Sequence, residues 1–230
     1  GKPQAPAGTT LPVTPKFKDR TIRFNGAAYY EDWKDFQFSF LGPNSFTEIR
    51  NAGQARIKGL ESELSWATPV DGLHLSAAAS ITDAKLASDY CGTVDSKGVP
   101  IKVCGKPQAP AGTTLPVTPK FKGNAVARYE FPVGDMNAHV QGAVVFQTSS
   151  WADLRLTERA LLGRQSGFQS VDLSAGLDRD TWNLEVALTN LGDIAGETIR
   201  TSECTPTVCG QTYVRPIRPR TISIKFGQKF

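Results

Sequence analysis

The chain has 230 residues, 40% of them hydrophobic and 21% charged, which excludes a disordered or collagen-like polypeptide. Its 26 basic and 22 acidic side chains leave a net charge of +4 with the signs interspersed, too mild and too scattered for a nucleic-acid partner. No apolar run approaches the ~18 residues of a membrane helix, and no basic segment followed by an apolar one opens the chain as an export signal.

Residues 1–18, GKPQAPAGTTLPVTPKFK, return without a difference at 105–122. A repeat fold would give many diverged copies rather than two identical ones, so one copy is expected to be native and the other displaced. Strands are then expected over 20–38, 54–67, 72–83, 117–131 and 136–148. Three more follow at 167–178, 181–191 and 219–230. The last three show the cleanest alternation. Val171, Leu173, Ala175 and Leu177 interleave with Asp172, Ser174 and Gly176, and Trp182, Leu184, Val186 and Leu188 oppose Asn183, Glu185, Ala187 and Thr189. At the end, Ile222, Ile224, Phe226 and Phe230 alternate with Ser223, Lys225, Gly227 and Lys229. Helical spacing is confined to WADLRLTERALLG, where Leu154, Leu161 and Leu162 suggest one short turn within a loop. The fold class is read as all-β.

The connections carry more information than the strands. TPVDG, PVGDM and DRD are tight turns, whereas 39–53, 84–116, 149–166 and 192–218 are long. Strict alternation of short and long puts every long connection at one end, as in outer-membrane barrels; such loops are unusual in a compact soluble domain. Several strands reach the length of a tilted membrane span. Tyr29, Tyr30, Trp33, Trp66, Phe131, Phe146, Trp151 and Trp182 lie near strand ends, where interfacial girdles form.

The opposite face carries Glu61, Glu63, His74, Ser76, Ser80, Arg128, Glu130, Gln141, Glu185, Lys225 and Lys229. These suit a water-filled lumen, or equally the wet side of a soluble sheet. Within ARIKGLESEL, Arg56 and Lys58 share parity with Leu60 and Leu64. Either a bulge shifts the face there, or these cations sit above the hydrocarbon near lipid phosphates. Burial of Leu173, Val186 and Ile224 against a second protein layer would exclude the membrane reading.

The four cysteines, Cys91, Cys104, Cys204 and Cys209, fall in loop-like segments with twelve and four intervening residues. Two local disulfides in an oxidising compartment fit this spacing. Zinc is the competing reading, though His74 and His139 lie elsewhere and no C-x-x-C occurs; four free thiols are the third. No phosphate-binding loop, G-x-S-x-G or H-E-x-x-H appears, so neither an enzyme nor a cofactor is expected. The Glu61/Glu63 pair is assigned to the lumen lining rather than to acid–base chemistry.

Four stretches in order resemble the C-terminal barrel of TonB-dependent outer-membrane receptors. RFNGAAYYEDWKDFQ is similar to the family's aromatic-acidic strand end. NAGQARIKGLESEL resembles its Asn-Ala-Gly…Gly-(apolar)-Glu-x-Glu pattern through Asn51, Ala52, Gly53, Gly59, Glu61 and Glu63. LTNLGD resembles the Asn-Leu-x-Asp closing its penultimate strand, and RPRTISIKFGQKF its last strand. The resemblance covers residues 20–230.

It implies a cell outer-membrane location and a whole barrel of about 22 strands around a plug, of which residues 19–230 would be the last eight strands, open or incompletely closed. Plug and TonB box would lie outside this sequence, so TonB is a partner only through missing segments and this chain alone is not expected to transport. Other implied partners are outer-membrane lipid, lipopolysaccharide and the barrel-assembly machinery, the last through Ile222, Ile224, Phe226 and Phe230. The implied ligand is a scarce solute such as a ferric siderophore, with Tyr90, Trp151, Arg155, Arg159, Arg164 and Arg200 as loop candidates for contact.

By the same resemblance the copy at 105–122 is native, since a Leu-Pro-x-x-Pro-x-(aromatic) lead-in to its strand is common there. Residues 1–18 are then the displaced duplicate, weakly ordered or an edge strand. A small self-contained barrel serving as anchor, adhesin or pore and a soluble β-sandwich remain as alternatives.

Overall fold

The computed structural model describes residues 21–42, 46–97, 99–204 and 211–228. Residues 1–18, expected to be the displaced duplicate, together with Cys209 and Phe230 lie outside these residues. In chain order the elements are β1 (Ile22–Lys34), β2 (Gln37–Leu41), β3 (Thr47–Asn51), β4 (Gln54–Ala67), β5 (Leu73–Leu86), β6 (Phe121–Val133) and β7 (Met136–Gln147). They continue with β8 (Ser150–Trp151), α1 (Leu156–Leu162), β9 (Arg164–Gln165), β10 (Phe168–Arg179), β11 (Trp182–Thr189), β12 (Glu197–Thr201), β13 (Tyr213–Pro216) and β14 (Thr221–Gln228).

Eight long strands form one sheet in the order β1-β4-β5-β6-β7-β10-β11-β14, every neighbour antiparallel. Among the described residues the sheet is not closed: β1 and β14 stand at its two edges. The three remaining pairs, β2–β3, β8–β9 and β12–β13, are hairpins inside the long connections.

Register settles which side chains share a face. From Trp66 across Leu75 and Ala127 to Gly142, and from Leu173 across Leu188 to Ile222, one face is apolar. Among the described residues no second layer covers it: Leu173 and Val186 are each 43% exposed and Ile224 is 70% exposed. A soluble sandwich buries such residues. Glu61, Glu63, His74, Ser76, Ser80, Arg128, Glu130, Gln141, Glu185 and Lys225 all share the other face.

Several expected boundaries move, each for a backbone reason. The first strand does not reach residue 38: Asp35 adopts φ 57°, which breaks the ladder after Lys34 and starts β2 as a separate hairpin. The strand expected from 117 begins at Phe121, because Val117 takes φ 52° and donates its N–H to Trp151 O in another loop (2.7 Å). The expected loop turn in 151–163 is a seven-residue helix, α1, closed by Gly163 at φ 71°.

The girdle divides as well. Tyr30, Trp66, Phe131, Phe146 and Trp182 stand on the apolar face, but Tyr29 and Trp33 point to the polar one and Trp151 belongs to a loop hairpin. Phe121 packs on Phe146 near the long-loop end (centroids 5.0 Å), and Tyr129 stacks on Phe131 near the short turns (5.5 Å). The ten residue steps from Phe121 to Phe131 span about 34 Å along the strand, or roughly 26 Å of height at barrel tilt, the thickness of the apolar band.

Candidate functional site: a cap of outer loops

The hydrophobic core lies at one end of the sheet rather than beneath it. Phe38, Phe40, Ala52, Tyr90, Ala109, Leu115 and Leu154 come from the long connections and pack on Ala55, Ala84 and Leu86, the uppermost polar-face residues of β4 and β5. Three loops therefore fold inward over one end of the lumen-side surface. Ala109 and Leu115 belong to the second copy of the doubled stretch, which is thus part of this core.

The sequence pattern around Asn51, Ala52 and Gly53 positions this cap. Asn51 Oδ1 accepts the Gly53 N–H at 2.7 Å, Gly53 takes φ 87°, and Phe36 and Ala52 exchange backbone hydrogen bonds with this turn. Further down β4, Gly59 leaves room for the Tyr29 ring, whose hydroxyl reaches across to Thr82 Oγ1 at 3.0 Å.

Arginines staple one loop to the next. Arg50 Nη1 donates to Gly92 O at 2.8 Å, linking the first loop to the second. Arg159 Nη2 donates to Thr114 O at 2.5 Å, and the Leu156 N–H to Gln108 O at 2.9 Å, linking the third to the second. Arg155 lies over the Phe40 ring at 4.5 Å and pairs with Asp153 (3.0 Å) and Glu158 (3.6 Å). Arg200 Nη1 donates to Leu162 O at 2.6 Å and pairs with Glu197 at 3.0 Å, tying the fourth loop to the third.

Of the six expected contact residues, four are thus occupied inside the cap: Tyr90 is only 3% exposed and Arg155 8%, while Arg159 and Arg200 hold carbonyls. Burial pushes the Tyr90 phenol up and the Arg159 guanidinium down from their ordinary values, and raises the Glu158 carboxyl. Trp151 and Arg164 face each other across β8–β9, the guanidinium 5.3 Å from the ring centroid, and Arg164 is exposed. Cys91 and Cys104 are joined by a disulfide within the second loop; the other expected pair includes Cys209 and lies outside the described residues. The sequence reading missed Arg50, Asp153 and Glu197. Only the Asp-x-Arg spacing at 153–155 offered a cue.

Glu197 gives the cap a pH dependence. Partial burial alone would raise its carboxyl, but the Ser166 amide (2.7 Å) and the Arg200 guanidinium hold it below the usual range. A carboxylate lowered in this way stabilises the fold fully above its unfolded value of about 4.3, and loses that contribution as pH falls through the folded value. The joint between β9 and β12 should therefore loosen below about pH 4. Hydrogen exchange at the Ser166 amide is the measurement, and Glu197→Gln should flatten the acid dependence.

A family model described as TonB dependent receptor-like, beta-barrel, matches residues 8–191. The chain belongs to that family. Its described residues contain no helix long and apolar enough to cross a membrane. Family membership makes the exposed apolar face of the sheet the lipid side of an outer-membrane β-barrel.

Solved structures share the fold. The ferric yersiniabactin uptake receptor FyuA from Yersinia pestis superposes with a TM-score of 0.66 at 16% identity, over 94% of this chain and 28% of that one. The siderophore receptor PiuA from Acinetobacter baumannii gives 0.65 at 16%, over 94% and 27%. The pyoverdine outer membrane receptor FpvA from Pseudomonas aeruginosa PAO1, bound to pyoverdine, gives 0.60 at 16%, over 96% and 29%. This chain spans less than a third of each. No curated protein matches it.

With the family known, the long connections of this receptor barrel are extracellular and its short turns periplasmic. The polar face is luminal. Near the periplasmic end of the lumen, His139 is buried with its two ring nitrogens 3.7 Å from Asp178 and 3.8 Å from Glu185. Gly176 faces that ring, and an added Cβ there would strike it.

Proposed function

We propose that this chain supplies barrel wall and outer loops to a TonB-dependent receptor for active uptake of a scarce solute, with a ferric siderophore as the solute class. The observation that carries this reading is the single cap formed by the long loops over the luminal face. A pore or anchor has no need of loops stapled to one another, whereas a ligand receptor needs a preorganised outer surface. The structural neighbours described as ferric yersiniabactin, siderophore and pyoverdine receptors support the class. Arg164 over Trp151 is the accessible cation–aromatic pair among the contact candidates, and suits a carboxylate or phenolate on an iron chelate.

Among the described residues the edges β1 and β14 have no ladder on their outer sides, and strands beyond this chain are proposed to complete the wall. TonB would be contacted by segments outside it. The apolar side of β14, with Ile222, Ile224 and Phe226 each more than 60% exposed, offers the assembly machinery a strand template, and Phe230 is proposed to complete that signal.

The test is uptake of radiolabelled iron on hydroxamate, catecholate and citrate chelators by cells with and without the gene. Loss of one chelate's uptake, restored by the gene but weakly by its Arg164→Gln form, is expected. Unchanged uptake of every chelate would overturn the assignment of iron.

A further inference from the structure

The lipid side of this sheet is not uniformly apolar. The β1–β4–β5 register runs without a shift from Asp32↔Arg56 to Ile22↔Trp66 and from Arg56↔Lys85 to Trp66↔Leu75. With no bulge to turn them inward, Arg56, Lys58 and Lys85 share the face of Leu60 and Ile81, a few residues below the extracellular loops. Asp32 holds Arg56 at 2.9 Å, and Asp83 holds Lys85 at 2.9 Å and Lys58 at the longer distance of 3.8 Å. Three cations thus share two carboxylates. All three remain about half exposed, with side-chain exposures of 51, 59 and 47%.

A cleft of about 220 Å³ opens among them, walled by Arg56, Lys58, Asp83 and Lys85 on the sheet and by Leu86 and Gly112 at the rim. Gly112 sits at φ 86° with open space beside it. Directly below, Leu60 and Ile81 pair across β4 and β5 and are 57% and 47% exposed. Cations at the rim above aliphatic side chains on one face match the two halves of an anionic lipid.

We propose that this cleft binds the phosphorylated headgroup of an outer-leaflet lipid, with the acyl chains running down over Leu60 and Ile81. Asp32 and Asp83 orient the cations, and Lys58, held least closely, makes the primary phosphate contact. The site follows from the lipid-side assignment and is independent of the solute taken up through the lumen.

The chain refolded in a zwitterionic detergent tests it by native mass spectrometry, with diphosphoryl lipid A, monophosphoryl lipid A, phosphatidylglycerol and phosphatidylcholine as probes. Retention is expected to follow phosphate charge, to weaken in 0.5 M salt, and to fall about fivefold for each of Lys58→Gln and Lys85→Gln. Lys225→Gln, on the luminal face, should change nothing. Equal retention of phosphatidylcholine, or no loss in either Lys variant, would overturn the proposal. So would competition by inorganic phosphate as effective as by lipid. The salt and headgroup series on the unaltered chain decides the matter even if a variant fails to refold. Absence of bound detergent or any lipid would instead strike the membrane assignment itself.

Discussion

Arg155→Met is expected to destabilise the outer-loop cap by about 3–5 kcal/mol, the usual cost of stranding buried charges by removing their partner. Arg155, Asp153 and Glu158 have side chains only 10, 11 and 13% exposed, so methionine would strip both carboxylates of their ion-pair partner in a region sealed from water, with Arg159 left near Asp153 alone. Methionine restores much of the volume against Phe40, so the loss reports charge rather than a cavity. The sheet below does not depend on this pair. Its hydrogen-bond ladders should survive while the loops open, and limited proteolysis should cut first within 99–116 and 152–163. Joint replacement of Arg155, Asp153 and Glu158 by apolar residues should recover most of the stability, since an apolar substitute for a whole buried cluster costs little. If the single variant resists protease like the parent, the cap is held by packing alone.

Asn190→Ala should cost about 3–4 kcal/mol, through four hydrogen bonds lost or weakened at roughly 1 kcal/mol each. Asn190 is 3% exposed and takes φ 51°. Its side-chain amide donates to Ile194 O at 2.9 Å and to Arg218 O at 3.0 Å, and its Oδ1 accepts the Ile194 N–H at 3.0 Å. Its own N–H donates to Asp172 Oδ1 at 2.8 Å. One residue thereby joins β10, the fourth loop and the approach to β14. Alanine removes three of these bonds and makes the left-handed backbone costlier, which weakens the fourth. Asp193, three residues on at φ 49°, accepts the Arg220 N–H at 2.8 Å and secures the same strand from the other side. The readout is thermal unfolding in detergent, with Asn190→Gly as control: glycine recovers the backbone term but not the amide. A melting temperature unchanged in both would refute the keystone role.

The long strands were legible because each is amphipathic at period two, and a strand between lipid and water must be. Leu184, Val186 and Leu188 announce β11 without help from distant residues. The cap was not legible in that way. Its core joins Phe40, Tyr90 and Leu154 from three separate connections, and no local period links them. The same gap explains the reading of the arginines. A loop arginine looks like a ligand contact until the carbonyl it holds is known, and Thr114 O and Leu162 O bear no sequence mark. Asn51-Ala52-Gly53 and Asn190-Leu-x-Asp193 were found as patterns; only coordinates show that both are turns closed by asparagine oxygens. The cations at 56 and 58 posed a choice between bulge and rim, and the unbroken β1–β4 register decides for the rim.

The open sheet has an arithmetic consequence. β1 ascends toward the cell exterior, direction reverses at each of the seven pairings, and so β14 descends. Whatever closes the ring must begin with an ascending segment beside β14 and finish with a descending one beside β1, if neighbours are to stay antiparallel throughout. Any arc that completes such a ring contains an even number of crossings, and an odd number would force two like-directed segments together at the seam.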